Sequence, residues 1–414
     1  MNRRATTAAI AVTLASALTL TACGGSGGDQ VKADAKQTLT VWAMGTEGEK
    51  LADVAKVYEK ANPNITVKVT PIGWDVAHQK LVAAAAANKL PDVMQMGGSY
   101  MTEFADMGAL EPVDTKTFHE QDYFPSGWEQ GSYDGKTYGV PWYVDTRVLY
   151  YRTDLAKKAG IKKAPGTMAE LKQAAEKYQK AGSEYGLSIQ PNGLDSVQSF
   201  YQFLYSADGE IVSKDGKAVV NSPAAVKALE NYTSYFKEGL AAKSVRPGYD
   251  VTKDFNTGDV AMFFGGPWHM GLLDDNYPDL KGKWAIANVP TDKTSASMAG
   301  GSALTISADS EHKAAAKDLV KYLTDTKGQA DWYRRTKDLP ANMTAWEKGE
   351  LASDPNMKIW RTQVESAQAS PNQPKLSEIT SKVDTAIEKA AQGKASPKAA
   401  LDEAQSAIEG LVQK

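Results

Sequence analysis

Leu39-Thr40-Val41-Trp42 opens a run that closes at Pro91-Asp92-Val93-Met94-Gln95-Met96. The opening residues read as a strand that ends in Gly45-Thr46-Glu47-Gly48. Leu51, Val54, Ala55 and Tyr58 then fall on one helical stripe. That helix must stop at Asn62-Pro63, because the residue before a proline is pushed out of the α region. Ile65-Thr66-Val67-Lys68-Val69 alternates as a second strand, Gly73-Trp74-Asp75 reads as a loop, and 76–88 as an alanine-rich helix. The closing segment is a short buried strand, followed by Gly97-Gly98-Ser99. Strand, helix, strand, helix, strand in this order predicts an α/β layer with a largely parallel sheet.

The rest of the chain keeps to the same vocabulary. Gly135 to Pro141 is a turn entering an extended segment, and Val148-Leu149-Tyr150-Tyr151 is an apolar strand. Thr167 with Glu170 three residues on predicts a capped helix over 167–182. Val197, Phe200, Tyr201 and Leu204 mark another, and Lys214-Asp215-Gly216-Lys217 turns a hairpin. Ser222-Pro223 starts a helix that ends at Gly239. A buried strand over 260–264 runs into Gly265-Gly266-Pro267-Trp268. Residues 284–290 are extended, and 303–306 follow Gly300-Gly301-Ser302. Helices near 311–323 and 327–336 are broken by Leu339-Pro340-Ala341-Asn342, and two amphipathic helices end the chain.

Upstream, Arg3 and Arg4 precede an apolar run over 8–20, and Leu20-Thr21-Ala22-Cys23 follows. Cations, a short apolar run and small residues are the parts of a secretory signal, and the run is too short to span a membrane. Cys23 is the sole cysteine and sits at the expected cleavage point. The arrangement resembles the lipobox of bacterial lipoproteins, which implies a signal peptide over 1–22 and a lipidated Cys23. Residues 23–36, rich in glycine, form a flexible tether with a reach on the order of 20 Å.

About 380 residues remain, more than one hydrophobic core holds, so two domains are expected. Lys and Arg number 47 and Asp and Glu 50, and they are scattered, so there is no basic stripe for nucleic acid. With no cysteine after Cys23, disulfides, thiolate metal sites and a cysteine nucleophile are excluded. His78, His119, His269 and His312 show no metal-ligand spacing, and no metal or cofactor is expected. There is no nucleophile elbow, phosphate loop or dinucleotide fingerprint. Fifty acidic residues always supply a carboxylate pair, but no motif singles one out for glycoside hydrolysis.

Aromatic and polar residues recur beside Gly or Pro at the ends of predicted strands. These loops hold Glu47, Trp74, Asp75, Gln95, Ser99, Trp142, Asp145, Trp268, Gly301 and Ser302. In α/β sheets ligands bind at the carboxyl ends of strands. Carbohydrate suits such groups, since its C–H faces pack on rings and its hydroxyls need donors and acceptors around them. Trp74 and Trp142 are read as cleft residues, Trp284 as core, and Trp42 as either. Trp268 is the strongest stacking candidate, at a helix start after a strand end. Asp145 either pairs with Arg147 or binds ligand hydroxyls. Arg334 and Arg335 complement a helix dipole or, with Arg147, meet a phosphate-bearing ligand.

These segments, taken in order, resemble the extracellular solute-binding proteins of ABC importers, in particular the sugar-binding group that includes the maltose-binding protein. The resemblance rests on Leu39-Thr40-Val41-Trp42, Leu90-Pro91-Asp92-Val93, Tyr138-Gly139-Val140-Pro141, Leu149-Tyr150-Tyr151-Arg152, Gly258-Asp259-Val260-Ala261-Met262, Gly266-Pro267-Trp268, Asn288-Val289-Pro290, Gly300-Gly301-Ser302 and Leu339-Pro340-Ala341. It implies a two-lobed type II periplasmic-binding-protein fold with a hinge and an inter-lobe cleft. The lobes implied are 37–143 plus 289–342 and 144–288 plus 343–414. Trp268 matches the family's stacking tryptophan. The loops at Glu47, Trp74, Gln95, Trp142 and Gly301-Ser302 fall where members touch ligand. It also implies a monomer, held outside the membrane by its lipid, that closes on a carbohydrate and docks on a permease driven by a cytoplasmic ATPase. The tether points to a Gram-positive envelope. Two alternatives stay open: a small polar solute such as a glycerol phosphodiester as ligand, and a glycoside hydrolase on the same scaffold.

Overall fold

The computed structural model describes residues 36–193, 196–245 and 249–412. The signal peptide, Cys23 and all of the tether but Lys36 lie outside the described residues.

The opening run folds as its pattern predicts. Strand β1 (Gln37–Met44) leads into helix α1 (Gly45–Ala61), β2 (Ile65–Ile72) into α2 (Trp74–Ala86), and β3 (Val93–Gly97) into α3 (Gly98–Asp106). β1 pairs in parallel with both β2 and β3. Leu39, Val41 and Ala43 are fully buried, whereas Thr40 is exposed and Trp42 half-buried, the alternation of a pleated strand. A small hairpin, β4 (Ser132–Tyr133) and β5 (Lys136–Thr137), precedes β6 (Gly139–Asp145). The chain then enters β7 (Val148–Arg152), which lies between β8 (Met262–Gly265) and β9 (Trp284–Ala287). β10 (Met298–Ile306) and β11 (Leu339–Pro340) follow, and β12 (Gln368–Ala369) is the last strand.

Two sheets organise these strands. The larger has the order β11-β6-β10-β3-β1-β2, with β12 also on β10, and the smaller β8-β7-β9. The expectation of a largely parallel sheet holds for β1, β2 and β3, and the short β12 also runs parallel to β10. β10 runs antiparallel to β3 and β6, and the smaller sheet is wholly antiparallel. The reason is connectivity, because β10 re-enters the large sheet from the small one and no helix crossover returns it to a parallel course.

The apolar packing falls into clusters, one of which joins Val148, Tyr150, Phe263 and Ile286 of the small sheet to residues of the large one. Leu149 joins Leu171, Phe200, Tyr232 and Phe236 of the intervening helices, with Ile379, Val383 and Leu401 from the two C-terminal helices. Leu39, Val41, Val140, Leu304 and Leu319 centre the packing under the large sheet. Full burial of side chains of this size stabilises by roughly 1.5–3 kcal/mol apiece. Caps set the helix ends. Thr167 Oγ1 accepts from the Glu170 N–H at 3.1 Å, and the Glu170 carboxylate accepts from the Gly166 N–H at 2.7 Å. Tyr201 stacks on Tyr205 at 4.9 Å inside the core, as read.

Trp142 departs from its sequence reading. It lies within β6 and is wholly buried. Register along β6 and β10 passes from Ser302–Tyr143 to Ala303–Pro141, so Trp142 is the extra residue of a bulge. A bulge breaks alternation and re-aims a side chain. Here the indole packs 4.3 Å from Trp332.

Candidate functional site

The topology gathers one set of loops. β1, β2, β3 and β6 share one direction, so Met44, Ile72, Gly97 and Asp145 end at the same edge of the large sheet. Antiparallel β10 starts at that edge, with Gly300 opposite Asp145 and Ser302 opposite Gly97. α1, α2 and α3 begin directly at the strand ends. Their first-turn N–H groups have no intrahelical partners. Trp74, Asp75 and Ser99 therefore stand in first helical turns and not in the loops that their glycines predict. Gly45 makes the first of these turns at φ +52°.

A buried polar network lies just beneath. Gln95 is fully buried. Its Oε1 accepts from the Met44 N–H at 2.7 Å, and its Nε2 donates to the Tyr143 and Ser302 hydroxyls, each at 3.1 Å. The Ser302 hydroxyl donates to the Tyr143 oxygen at 3.0 Å, and the Tyr143 hydroxyl donates to Glu47 Oε1 at 2.6 Å. Residues from five elements are thus held in one geometry, and networks of this kind rigidify their surroundings when every member is satisfied.

The charge around this network is unusual. Burial raises the Glu47 carboxyl above its ordinary range, against the hydrogen bonds from Tyr143 and Gln95, and the charge of Asp145 adds to the rise. Burial also raises Asp145, which the Arg147 guanidinium opposes. Asp338 is pushed well up by burial and next by the charge of Glu47, although it accepts from Trp332 Nε1 at 3.0 Å. Three carboxyls thus share one electrostatic neighbourhood. Arg147 Nη1 donates to Asp145 Oδ2 at 2.5 Å, while Asp145 Oδ1 is buried with no hydrogen-bond partner among the described residues. The guanidinium lies 4.7 Å from the ring centroid of Trp268. Trp268 opens the helix Trp268–Asn276 after β8. Next to it, burial and then the Arg147 charge hold His269 down to about 4.

The predicted residues separate accordingly. Glu47, Gln95, Ser302 and Gly301 join the network edge, and Asp145 with Arg147 reaches Trp268. Trp74 is 39 % exposed, and its ring lies over Gly45 and against Gly97. A flat ring therefore spans the ends of the three parallel strands. Asp75 and Ser99 are exposed at the same edge. Trp142 is enclosed, with one face of its ring towards Trp332 and its Nε1 without a hydrogen-bond partner among the described residues. Arg334 is 63 % exposed and bound to Asp331. Asp338 carries no motif, and neither does Tyr143 within its loop; only strand pairing brings them here.

A cavity of about 950 Å³ borders this edge at Gly98 and is lined further by Thr102, Gln130, Tyr205, Asp208 and Asn372 among others. It includes none of the buried carboxyls and neither Trp74 nor Trp268. The strand-end edge is the better candidate, since it combines open ring surface with fixed donors and acceptors.

Comparison with known proteins bears on the same question. The family model of the bacterial extracellular solute-binding protein matches residues 43–330. The galactooligosaccharide-binding protein of Bacillus subtilis is 27 % identical, over 96 % of this chain and 94 % of its own length. A maltooligosaccharide ABC transporter solute-binding lipoprotein of Streptococcus pneumoniae is 26 % identical, over 97 % and 96 %. Among solved structures, the sugar-binding protein MalE of Xanthomonas citri aligns with a TM-score of 0.82 and 32 % identity, over 91 % of this chain and 97 % of that one.

Proposed function

The chain belongs to the bacterial extracellular solute-binding proteins, and from that membership we infer that it captures a carbohydrate at the strand-end edge and delivers it to an ABC permease. The observation that carries the reading is the Trp74 ring lying open across the strand ends, beside the buried Glu47–Tyr143–Gln95–Ser302 network. Rings of this kind stack on sugar C–H faces, and fixed amide and carboxyl groups take the hydroxyls. The names of the relatives agree in ligand class and differ in sugar.

The ligand-contacting set we propose is Glu47, Trp74, Asp75, Ser99, Asp145, Trp268 and Gly301. Gln95 and Ser302 act from beneath by fixing Tyr143 and Glu47. One lobe is built on the large sheet and the other on the small sheet, divided near 143/144, 288/289 and 342/343. Ligand bridging both lobes favours the closed form by its differential affinity. Lipidation of Cys23 then holds the protein at the outer face of the membrane. The position of the sole cysteine supports that anchor, as does the description of the Streptococcus relative as a lipoprotein. A Cys23→Ala chain should leave the membrane fraction for the medium.

Titration calorimetry against a panel of oligosaccharides tests the main reading; no binding to any member would overturn it. A glycoside hydrolase would use carboxyls with raised proton affinity as acid and base. Here each is engaged internally, Glu47 by Tyr143, Asp145 by Arg147 and Asp338 by Trp332. Release of shortened sugars on incubation would replace binding by hydrolysis.

A further inference from the structure

Arg147 is held at two points that a bound sugar also needs. Its Nη1 donates to Asp145 Oδ2, and its guanidinium covers Trp268 at 4.7 Å. A guanidinium is a flat plate with donors around its rim and stacks on indole. A pyranose likewise has an apolar face and donors around its rim, and it stacks on the same ring.

Trp268 has little other ring surface to offer. A Cβ added to Gly266 would fall 2.0, 2.3 and 2.6 Å from Cζ3, Cη2 and Cε3 of the indole. A point beyond the ring edge would lie much farther from the two flanking carbons than from the nearest one. Near-equal distances place it above the ring face. The Gly266 backbone therefore packs on one face of the benzenoid half.

We propose that Arg147 is an internal stand-in for the ligand, and that sugar capture displaces its guanidinium from Trp268 and replaces its N–H at Asp145 with a sugar hydroxyl. The proposal rests on the carbohydrate reading above. Three further features fit it. The Arg147 side chain is 17 % exposed, so it has a way out to water. Its backbone N–H is tied to Ser297 Oγ at 3.2 Å, which leaves the chain fixed while the side chain swings. Asp145 Oδ1 has no hydrogen-bond partner among the described residues, ready for a second hydroxyl. Affinity is then a difference between ligand contacts and the contacts of Arg147, so this residue sets how tightly, and how selectively, the site holds its sugar.

The test is titration of wild type, Arg147→Ala and Arg147→Lys with maltotriose, galactobiose and diacetylchitobiose, at low and high salt, after melts show that each chain is folded. Removing the competitor should tighten the best-binding sugar by about three- to tenfold. Lys, which cannot lie flat on the ring, should fall between. Salt screens a pair this enclosed only weakly, so wild-type affinity should rise slightly with salt while that of Arg147→Ala stays level. Equal or weaker binding by Arg147→Ala would overturn the proposal. The unliganded proteins supply a separate readout. Tryptophan emission should differ between wild type and Arg147→Ala, and the difference should vanish in a Trp268→Phe background. Emission identical in both would show that the stacked arginine is absent, and would overturn the proposal whatever the sugars do. Failure of every sugar to bind wild type and variants alike would remove the carbohydrate reading instead.

Discussion

The Tyr143 hydroxyl donates to Glu47 Oε1 at 2.6 Å across 96 positions of sequence. It fastens the end of β6 to the first turn of α1, and Gln95 and Ser302 hold its oxygen from the other side. Tyr143→Phe removes the donor and leaves the half-buried Glu47 carboxyl short of a partner. Hydrogen bonds to charged groups contribute ~1.5–3 kcal/mol, and the loss should appear in urea unfolding as a drop of that size. An unchanged midpoint would mean that the network carries no net stability.

The tryptophans should divide by role. Trp142 is wholly buried against Trp332, so Trp142→Ala opens a cavity and should cost ~3–5 kcal/mol of stability. Trp74 is well exposed, so Trp74→Ala should leave the melting temperature within a degree or two while weakening sugar binding tenfold or more. Trp268→Ala should weaken binding to a similar extent. Calorimetry beside thermal melts separates the cases, and a Trp74→Ala protein with wild-type affinity would remove that ring from the site.

Gly301 sits at φ +125°, where side chains are disfavoured. A Cβ there would stand 2.3 Å from the Tyr143 carbonyl oxygen. That contact is with backbone, so β6 and β10 would have to part beside the bulge. Gly301→Ala should destabilise by more than ~2 kcal/mol, the combined scale of strain and overpacking. A stable Gly301→Ala protein would show that this edge is softer than its hydrogen bonds imply.

The raised carboxyl of Asp338 has a predictable pH signature. Its proton is held more tightly in the folded state than in the unfolded chain. Between the unfolded value, near 4, and the raised folded value, the native state binds more protons, so stability falls as pH rises. His269, held down to about 4, acts the other way between pH 4 and 6.5, because there the unfolded chain binds the extra proton. Asp338→Asn deletes only the first effect. Relative to wild type, its melting temperature should improve as pH rises from the unfolded value, near 4, towards the raised folded value. A constant offset would show that Asp338 titrates normally.

Much of this was readable from local pattern. Helix stripes, capping residues and the β-α-β-α-β opening are set by neighbours a few positions away, and they survive in the fold nearly as written. Strand-end glycines rightly marked where β1, β2 and β3 stop, although Trp74, Asp75 and Ser99 proved to open helices. The error at Trp142 has a physical cause. Its surroundings, a proline and a strand end, look like a loop, and a bulge that depends on the register of β10 turns its ring inward.

The chain by itself determined the α/β class, the element order and the residue types available for stacking and hydrogen bonding. Each depends on side-chain periodicity and backbone preference within one segment. Tertiary structure alone decided that residues 47, 95, 143, 302 and 338 share one electrostatic neighbourhood, and that Arg147 lies on Trp268. The first follows from the strand order β11-β6-β10-β3-β1-β2 and from antiparallel β10, and the second from the pairing of β7 with β8, which sets Val148 opposite Gly265. Non-local pairing of this kind is chosen by the packing of the whole molecule, and no short window of sequence contains it.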